Sequence, residues 1–389
     1  MRVNSSVDVE RAVSERYSRG ATAREAQLCC PVEYDPRYLR VIPEEIIERD
    51  YGCGDPSRHL APGDTVLDLG SGAGKICYIA SQIVGPRGRV LGVDMNDDML
   101  ALARRYQEPV GDRIGWHNVE FRRGRIQDLR LDLERLDEWL SRHPVRTSDD
   151  LQALESEEAR LRNEAPLISD SSVDVVISNC VLNLVSEEDR QQLFPEIYRV
   201  LRRGGRAVIS DIVADEPVPE HLKADPQLWS GCVSGAMTET AFVEAFERAG
   251  FYGIEILSRG AEPWRTVEGI EFRSITLRAY RGLEGPCLET NKAVIYRGPW
   301  KKVIDDDGHV FRRGLRTAVC EKTFGILTRV PYRDHFDPVL PLEGADVEPS
   351  SPFDCNRSAL RHPRETKGLD YDRTSDAAPD ACGTDGNCC

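Results

Sequence analysis

Long apolar runs are missing from this sequence: nothing in it approaches the roughly 18 consecutive apolar residues of a membrane-spanning helix. The first residues, MRVNSSVDVERAVSERY, lack the apolar core of a secretory leader, so a cytoplasmic setting without membrane contact is expected. Positive charge is in short supply. The chain has 51 Lys and Arg against 66 Asp and Glu, a formal net charge of −15. Phosphate backbones demand a basic footprint, which excludes a nucleic-acid partner. Histidine numbers only 7. His59, His117 and His221 fall outside the motifs below and read as surface residues rather than imidazole catalysts. What the chain does have is cysteine, 12 residues of it. None shows the paired CxxC…CxxC spacing of a structural zinc site. In a reducing compartment, where stable disulfides are uncommon, clustered cysteine points to metal binding or redox chemistry.

The centre of the chain alternates strand and helix patterns. Apolar strands are expected at Thr65–Leu69, Arg89–Asp94, Val119–Arg122, Val173–Asn179 and Arg206–Asp211. Between them lie KICYIASQIV, NDDMLALARRYQ and EIYRVLRRGG, the last ended by Gly204–Gly205. Phe251–Arg259 and Phe272–Arg281 close the pattern as an antiparallel edge pair. This alternation predicts an α/β fold with a doubly wound, mostly parallel Rossmann-like sheet. Five regions are expected. Residues 1–60 form a helical segment with cysteines. Residues 61–215 form a cofactor domain, with a charged insertion at 128–170 whose leucines (133, 136, 140; 151, 154, 161) suggest one or two solvated helices. Residues 216–285 hold the acceptor region and edge strands. Residues 286–342 form a small accessory domain in which Lys292–Tyr296 and Val310–Ile326 read as strands. Residues 343–389 are poor in large apolar side chains and are expected to lack fixed structure.

The first strand runs into Asp68-Leu69-Gly70-Ser71-Gly72-Ala73-Gly74, and the second ends on Asp94. A glycine loop between strand and helix, with an acid at the next strand end to take ribose hydroxyls, marks a nucleotide site. A pyrophosphate would meet Asp68 unfavourably. S-adenosylmethionine, with its sulfonium and amino group, suits an acidic loop better than NAD does. Ile126 and Gln127, after the third strand, suit the face and the amino group of an adenine.

Three cysteines flank the same predicted edge of the sheet: Cys53 in YGCGDP, Cys180 in ISNCVLNL and Cys232 in LWSGCVSGA. Thiolates are soft ligands and select soft centres. Cys180 and Cys232, both in loop contexts beside Gly or Asn, read as ligands. Cys77 reads as a core residue. Cys287, Cys320 and Cys355 lie in no motif, and Cys382, Cys388 and Cys389 end a tail.

Taken together, YGCG, DLGSGAG, VDM, ISNCVLNL, EIYRVLRRGG, SDIVAD and WSGCVSGA resemble arsenite S-adenosylmethionine methyltransferases, in order, over about residues 15 to 330. The resemblance implies a class I methyltransferase that methylates arsenite or methylarsenite, with Cys53, Cys180 and Cys232 holding As(III). It implies a further redox cysteine at Cys29 or Cys30 and a thiol reductant such as glutathione or thioredoxin. It adds Tyr17, Met95 and Asn179 to the cofactor set of Asp68, Gly70, Ser71, Gly72, Gly74, Asp94, Ile126 and Gln127. Gln127 stands where many members carry an acid, and the insertion at 128–170 is a second departure. The alternatives are a methyltransferase for an organic small molecule, with structural cysteines, and a thiol-rich protein that binds metalloid without transforming it.

Overall fold

A computed structural model describes residues 6–23, 25, 32–49, 51–282, 285–345, 351–355 and 359–375; Cys29, Cys30, Cys382, Cys388 and Cys389 lie outside them. The chain divides into two compact units, Met1–Gly282 and Leu283–Cys389.

The first unit is built on one twisted sheet. Its strands are β1 (Thr65–Leu69), β2 (Arg89–Asp94), β3 (Val119–Arg123), β4 (Val173–Asn179), β5 (Leu201–Ala214), β6 (Met237–Thr238), β7 (Phe251–Arg259), β8 (Arg265–Val267) and β9 (Ile270–Arg281). Their order is β3-β2-β1-β4-β5-β9-β7, with β6 on β5 and β8 on β9. Strands β1 to β5 are mutually parallel. β9 runs antiparallel between β5 and β7, so the expected antiparallel pair forms, with β7 as the edge strand. The strand order reverses between β1 and β4. In open α/β sheets a ligand crevice forms at that point, beyond the carboxyl ends of the strands. Strands β1, β2 and β4 are nearly all buried. Strands covered on both faces need such continuous apolar runs.

Two apolar clusters cover the two faces. Leu67, Leu69, Val176, Ile209 and Phe246 belong to one, and Val66, Ile79, Val90, Ile177 and Val208 to the other. A third cluster lies over the carboxyl ends and contains Cys53, Cys232, Trp229 and Phe272.

Gly204–Gly205 does not stop a helix. The helix Arg190–Val200 ends earlier, and β5 starts at Leu201. Its last carbonyls are taken by tertiary partners, with Ser171 N donating to Arg199 O at 2.9 Å and Ser172 N to Val200 O at 2.8 Å. A helix end satisfied in this way needs no glycine cap. The glycines sit instead in an irregular stretch where pairing with β4 jumps from Val173↔Leu201 to Val175↔Arg206.

The insertion forms two helices, Leu133–Arg142 and Ser148–Glu164. Asp132 caps the first, and a Thr147–Asp150 capping box starts the second. They share a small core of Leu131, Leu136 and Leu161. Leu151 belongs to the expected stripe but stays exposed.

In the second unit, β10 (Ala293–Tyr296) pairs with β13 (Arg316–Ala318) and β14 (Phe336–Val339), and β11 (Lys302–Ile304) pairs with β12 (Val310–Arg312). The strand expectation for Val310–Ile326 fails after Ala318, because Glu321–Leu327 is helical and Cys320 caps it. The segment expected to lack structure from residue 343 also contributes order. Arg361 is fully buried, with Glu289 at 2.7 Å and Glu365 at 2.8 Å. Two carboxylates on one guanidinium fix a segment that has little apolar surface.

Candidate active site

Cys53 is held by the end of β4. Its amide donates to Asn179 Oδ1 at 2.9 Å, and the Gly54 amide donates to the same oxygen at 3.1 Å. Asn179 Nδ2 returns bonds to Gly54 O at 2.8 Å and to the Tyr34 hydroxyl at 3.2 Å. The glycines around Cys53 make this approach sterically possible. A Cβ on Gly52 would lie 2.2 Å from Asn179 Nδ2, and one on Gly54 would lie 2.5 Å from Ser210 Oγ. The Gly-Cys-Gly loop therefore rests against the ends of β4 and β5. Asn179 lines the cofactor cleft as expected of it, but its amide is spent on the cysteine loop.

Cys180 follows β4 directly, and its amide donates to Ser210 O on β5 at 2.7 Å. Cys232 follows the short helix Pro226–Ser230. Its thiol donates to Cys180 O at 3.1 Å. Both residues have positive φ, 66° for Cys180 and 60° for Cys232. Non-glycine residues avoid this region at a cost of about 1–3 kcal/mol each, and such strain concentrates at functional sites.

The Cys180 thiol is central, in hydrogen-bonding contact with both Cys232 and Cys53. Its sulfur, the Cys53 sulfur and an Asp211 oxygen lie within 4.8 Å of one another. The Tyr17 hydroxyl reaches Cys232 from the helix Ser6–Thr22. The bond from Cys232 favours a Cys180 thiolate. The bond with Cys53, burial, and the charges of Cys53 and Asp211 outweigh it and push the thiol well above its usual range. The bond with Cys180, burial and the charges of Cys180 and Asp211 push Cys232 up as well, against the bond from Tyr17. Burial raises Asp211 to about 7, against backbone donors that would lower it. Leu182 N at 2.9 Å, Ile212 N at 2.8 Å and Asn183 Nδ2 at 2.8 Å all donate to its carboxylate. The sequence reading missed Asp211, although SDIVAD is one of its motifs, because nothing along the chain brings that acid near the thiols.

Next to the thiols lies a mainly apolar cleft of about 810 Å³, open to solvent. Gly70, Gly72, Asp94, Met95, Ile126, Gln127, Tyr17, Asn179 and Cys180 line it, all anticipated from sequence. Asp94 is aimed by main chain, with Gly72 N at 2.9 Å and Asn96 N at 2.8 Å. Burial raises its pKa, and these amides oppose the rise. Gly70 admits the β4 loop, since a Cβ there would lie 2.4 Å from Val181 Cγ1. Donor cleft and thiol cluster thus share one wall.

Asp68, Ser71 and Gly74 lie outside the cleft lining. Asp68 is buried beneath the loop and accepts from Cys77 Sγ at 3.2 Å. Gly74 precedes the helix Lys75–Val84 and packs on Phe121. Ser71 Oγ is buried with no hydrogen-bond partner among the described residues.

The sequence reading also missed Val13, Ser14, Tyr51 and Asn96 in the lining. Asn96 carried a signal as the N-cap of Asp97–Arg105, accepting from Met99 N at 3.0 Å. Its Nδ2 donates to Ser14 O and Ser18 Oγ, each at 3.0 Å. Arg16 Nη1 donates to Gln227 O at 2.8 Å and to Ser230 Oγ at 3.0 Å, just before Cys232. One N-terminal helix is therefore pinned to the cleft on one side and to the thiol cluster on the other.

The residues present fit S-adenosylmethionine. Bare glycine backbone, an acid aimed at the cleft and apolar side chains converge where the strand order reverses. Sheet, loop and cleft define an S-adenosylmethionine-dependent methyltransferase. A methyltransferase-domain family matches residues 60–165 and 146–250, and a domain of unknown function matches residues 283–371. The arsenite methyltransferase of Aquipseudomonas alcaligenes is 31% identical over 326 residues, covering 79% of this chain and 83% of that protein. The human arsenite methyltransferase is 28% identical over 368 residues, covering 90% and 88%. The crystal structure of an arsenic(III) S-adenosylmethionine methyltransferase from Chlamydomonas reinhardtii superposes with a TM-score of 0.53 at 26% identity, covering 83% of this chain and 99% of that one. The chain belongs to the arsenite methyltransferase family. Among the described residues, no helix is long and apolar enough to cross a membrane.

Proposed function

We propose that this protein transfers methyl groups from S-adenosylmethionine to trivalent arsenic held by Cys53, Cys180 and Cys232, turning arsenite into methylated arsenicals as a detoxification step in the cytoplasm. The meeting of Cys53 and Cys232 with Cys180, which lines the cofactor cleft, carries this reading. It counts against an organic acceptor, for which buried thiols with raised pKa values would have no use.

High thiol pKa values do not obstruct arsenic binding. Each thiol that replaces a hydroxide on As(OH)3 gives up its proton to that hydroxide, so three thiols release three waters and no net charge enters the buried site. The three sulfurs leave the arsenic lone pair unshared. S-adenosylmethionine, when bound, supplies an electrophilic methyl on a sulfonium. Gly70, Gly72, Asp94, Met95, Ile126, Gln127 and Tyr17 would hold it. No proton has to leave the nucleophile, so positioning replaces general-base catalysis.

Forming the As–C bond oxidises arsenic formally by two electrons. Two thiolates can return those electrons by joining as a disulfide, Cys53 with Cys29 or Cys30. A thiol reductant such as glutathione or thioredoxin would then reopen that bond by exchange.

The test is arsenic speciation after incubation with S-adenosylmethionine, arsenite and a thiol. Methylarsenicals should form, with one S-adenosylhomocysteine per methyl. Cys180→Ser and Cys232→Ser should each abolish arsenite methylation and still bind S-adenosylmethionine by calorimetry. Normal arsenite turnover in either variant would refute the site.

A further inference from the structure

The second unit contains another meeting of three thiols, assigned to nothing by the motifs or by the methylation chemistry. Cys287, Cys320 and Cys355 are far apart in sequence, yet main-chain bonds gather them. Phe353 N donates to Cys287 O at 2.8 Å, Leu288 bridges Pro352, and Glu321 N donates to Leu288 O at 2.9 Å. Residues 287–288 are thus tied at once to the segments carrying Cys355 and Cys320. The Cys287 thiol is in hydrogen-bonding contact with both other thiols. All three are free, and they grade from buried Cys320 through half-buried Cys287 to exposed Cys355. Cys320 and Cys355 line a cleft of about 690 Å³, together with Phe311, Val319, Thr323 and Phe353.

We propose that Cys287, Cys320 and Cys355 form a second site for trivalent arsenicals, separate from the methylation site, which holds arsenic without methylating it. The arrangement repeats that of the first site, where Cys180 is the central thiol between two others. A tetrahedral structural zinc site would need a fourth ligand. Among the described residues no group that includes these thiols has three ligand atoms all within 4.8 Å of one another, so the outer two thiols must swing in toward Cys287 to close on an ion. His309 borders the cleft, but its Nδ1 is engaged by Asp305 at 2.9 Å. Trivalent arsenic is pyramidal and needs only three sulfurs. Burial and the two neighbouring thiols push Cys287 up to about 11, so this central thiol is protonated at neutral pH. Arsenite again supplies the hydroxides that remove three protons as water, so binding balances without a base or an oxidant. A monomethylated arsenical, with two hydroxides, would take two of the thiols. The gradient of exposure gives a path inward, with Cys355 meeting solvent and Cys320 enclosed.

The experiment uses the full chain with Cys382, Cys388 and Cys389 changed to Ser, under anaerobic phosphine reduction. Arsenite is added, free arsenic is removed by gel filtration, and bound arsenic is counted by mass spectrometry. Cys287→Ser should remove one equivalent of arsenic and leave the methyl-transfer rate at saturating arsenite within about twofold, the rate scale of a change far below 1 kcal/mol. Cys180→Ser should remove a different equivalent together with methylation, so failure of either site is read separately. Cys355→Ala, at an exposed position, should also lower the count with an unchanged melting temperature, which guards against misfolding. Arsenic content unaffected by both Cys287→Ser and Cys355→Ala would overturn the proposal, as would an intact mass showing a disulfide among these cysteines in place of arsenic.

Discussion

The side-chain oxygen of Asn179 accepts the Cys53 amide at 2.9 Å, joining residues 126 positions apart. Cys53 reaches its thiol partners because the last residue of β4 holds the loop that carries it. Asn179 also lines the cofactor cleft, so one side chain relates donor to acceptor.

Asn179→Ala removes both acceptor bonds to that loop. Loss of hydrogen bonds to buried amides costs about 1–3 kcal/mol each. Arsenite methylation should fall by about tenfold or more, the equivalent of some 1.4 kcal/mol. Affinity for S-adenosylmethionine should change far less. Steady-state kinetics beside calorimetry decide it, and an equal loss in both would assign Asn179 to the cofactor instead.

Gly52→Ala drives a methyl into Asn179, since its Cβ would lie 2.2 Å from Nδ2. Overpacking of this kind costs about 1–3 kcal/mol. The variant should have a lower denaturant midpoint and should lose methylation more severely than its fall in stability accounts for. A variant with native turnover would show that the loop position is not critical.

Arg16→Met tests the bridge made by the N-terminal helix. Its guanidinium bonds Gln227 and Ser230 beside Cys232, while Asn96 holds the same helix at Ser14 and Ser18. Freed on one side, the helix should secure Tyr17 less well. KM should rise for both arsenite and S-adenosylmethionine. A rise for arsenite alone would confine Arg16 to the thiol site.

Asp211 gives a pH signature. Its folded pKa of about 7 lies above the ordinary carboxylate value of roughly 3.9. Between those values the unfolded chain has released a proton that the native state keeps, so this group lowers stability as pH rises from about 4 to about 7. Asp211→Asn should remove that part of the slope. The variant should also be less stable at low pH, because an amide NH2 would face the Leu182 and Asn183 donors. Urea midpoints across this range measure both effects, and parallel curves for the two proteins would contradict the assignment.

Much of this site was legible in sequence because its signals are local. Strand and helix periods, the glycine loop and Asp94 each reside within a few residues, and most of the expected cofactor residues line the cleft. The misses have a common cause. Asp68 and Gly74 carry the same loop signal as Gly70 and Gly72, but only the direction in which each leaves the strand decides which of them faces the cleft. Gly204–Gly205 read as a helix stop because glycine commonly serves that role, whereas Ser171 and Ser172 had already satisfied the helix carbonyls.

The sequence by itself determined the fold class, the nucleotide loop and the presence of reactive thiols in separate motifs, since each follows from short-range pattern and side-chain chemistry. Only the tertiary structure decided which thiols meet. Parallel strands place distant residues side by side at their carboxyl ends, and this brings Cys53 to Cys180, Cys232 to Cys180, and Asp211 to both Cys53 and Cys180. Main-chain pairing in the second unit does the same for Cys287, Cys320 and Cys355. Sulfur–sulfur proximity depends on packing between segments, and no spacing along the chain encodes it.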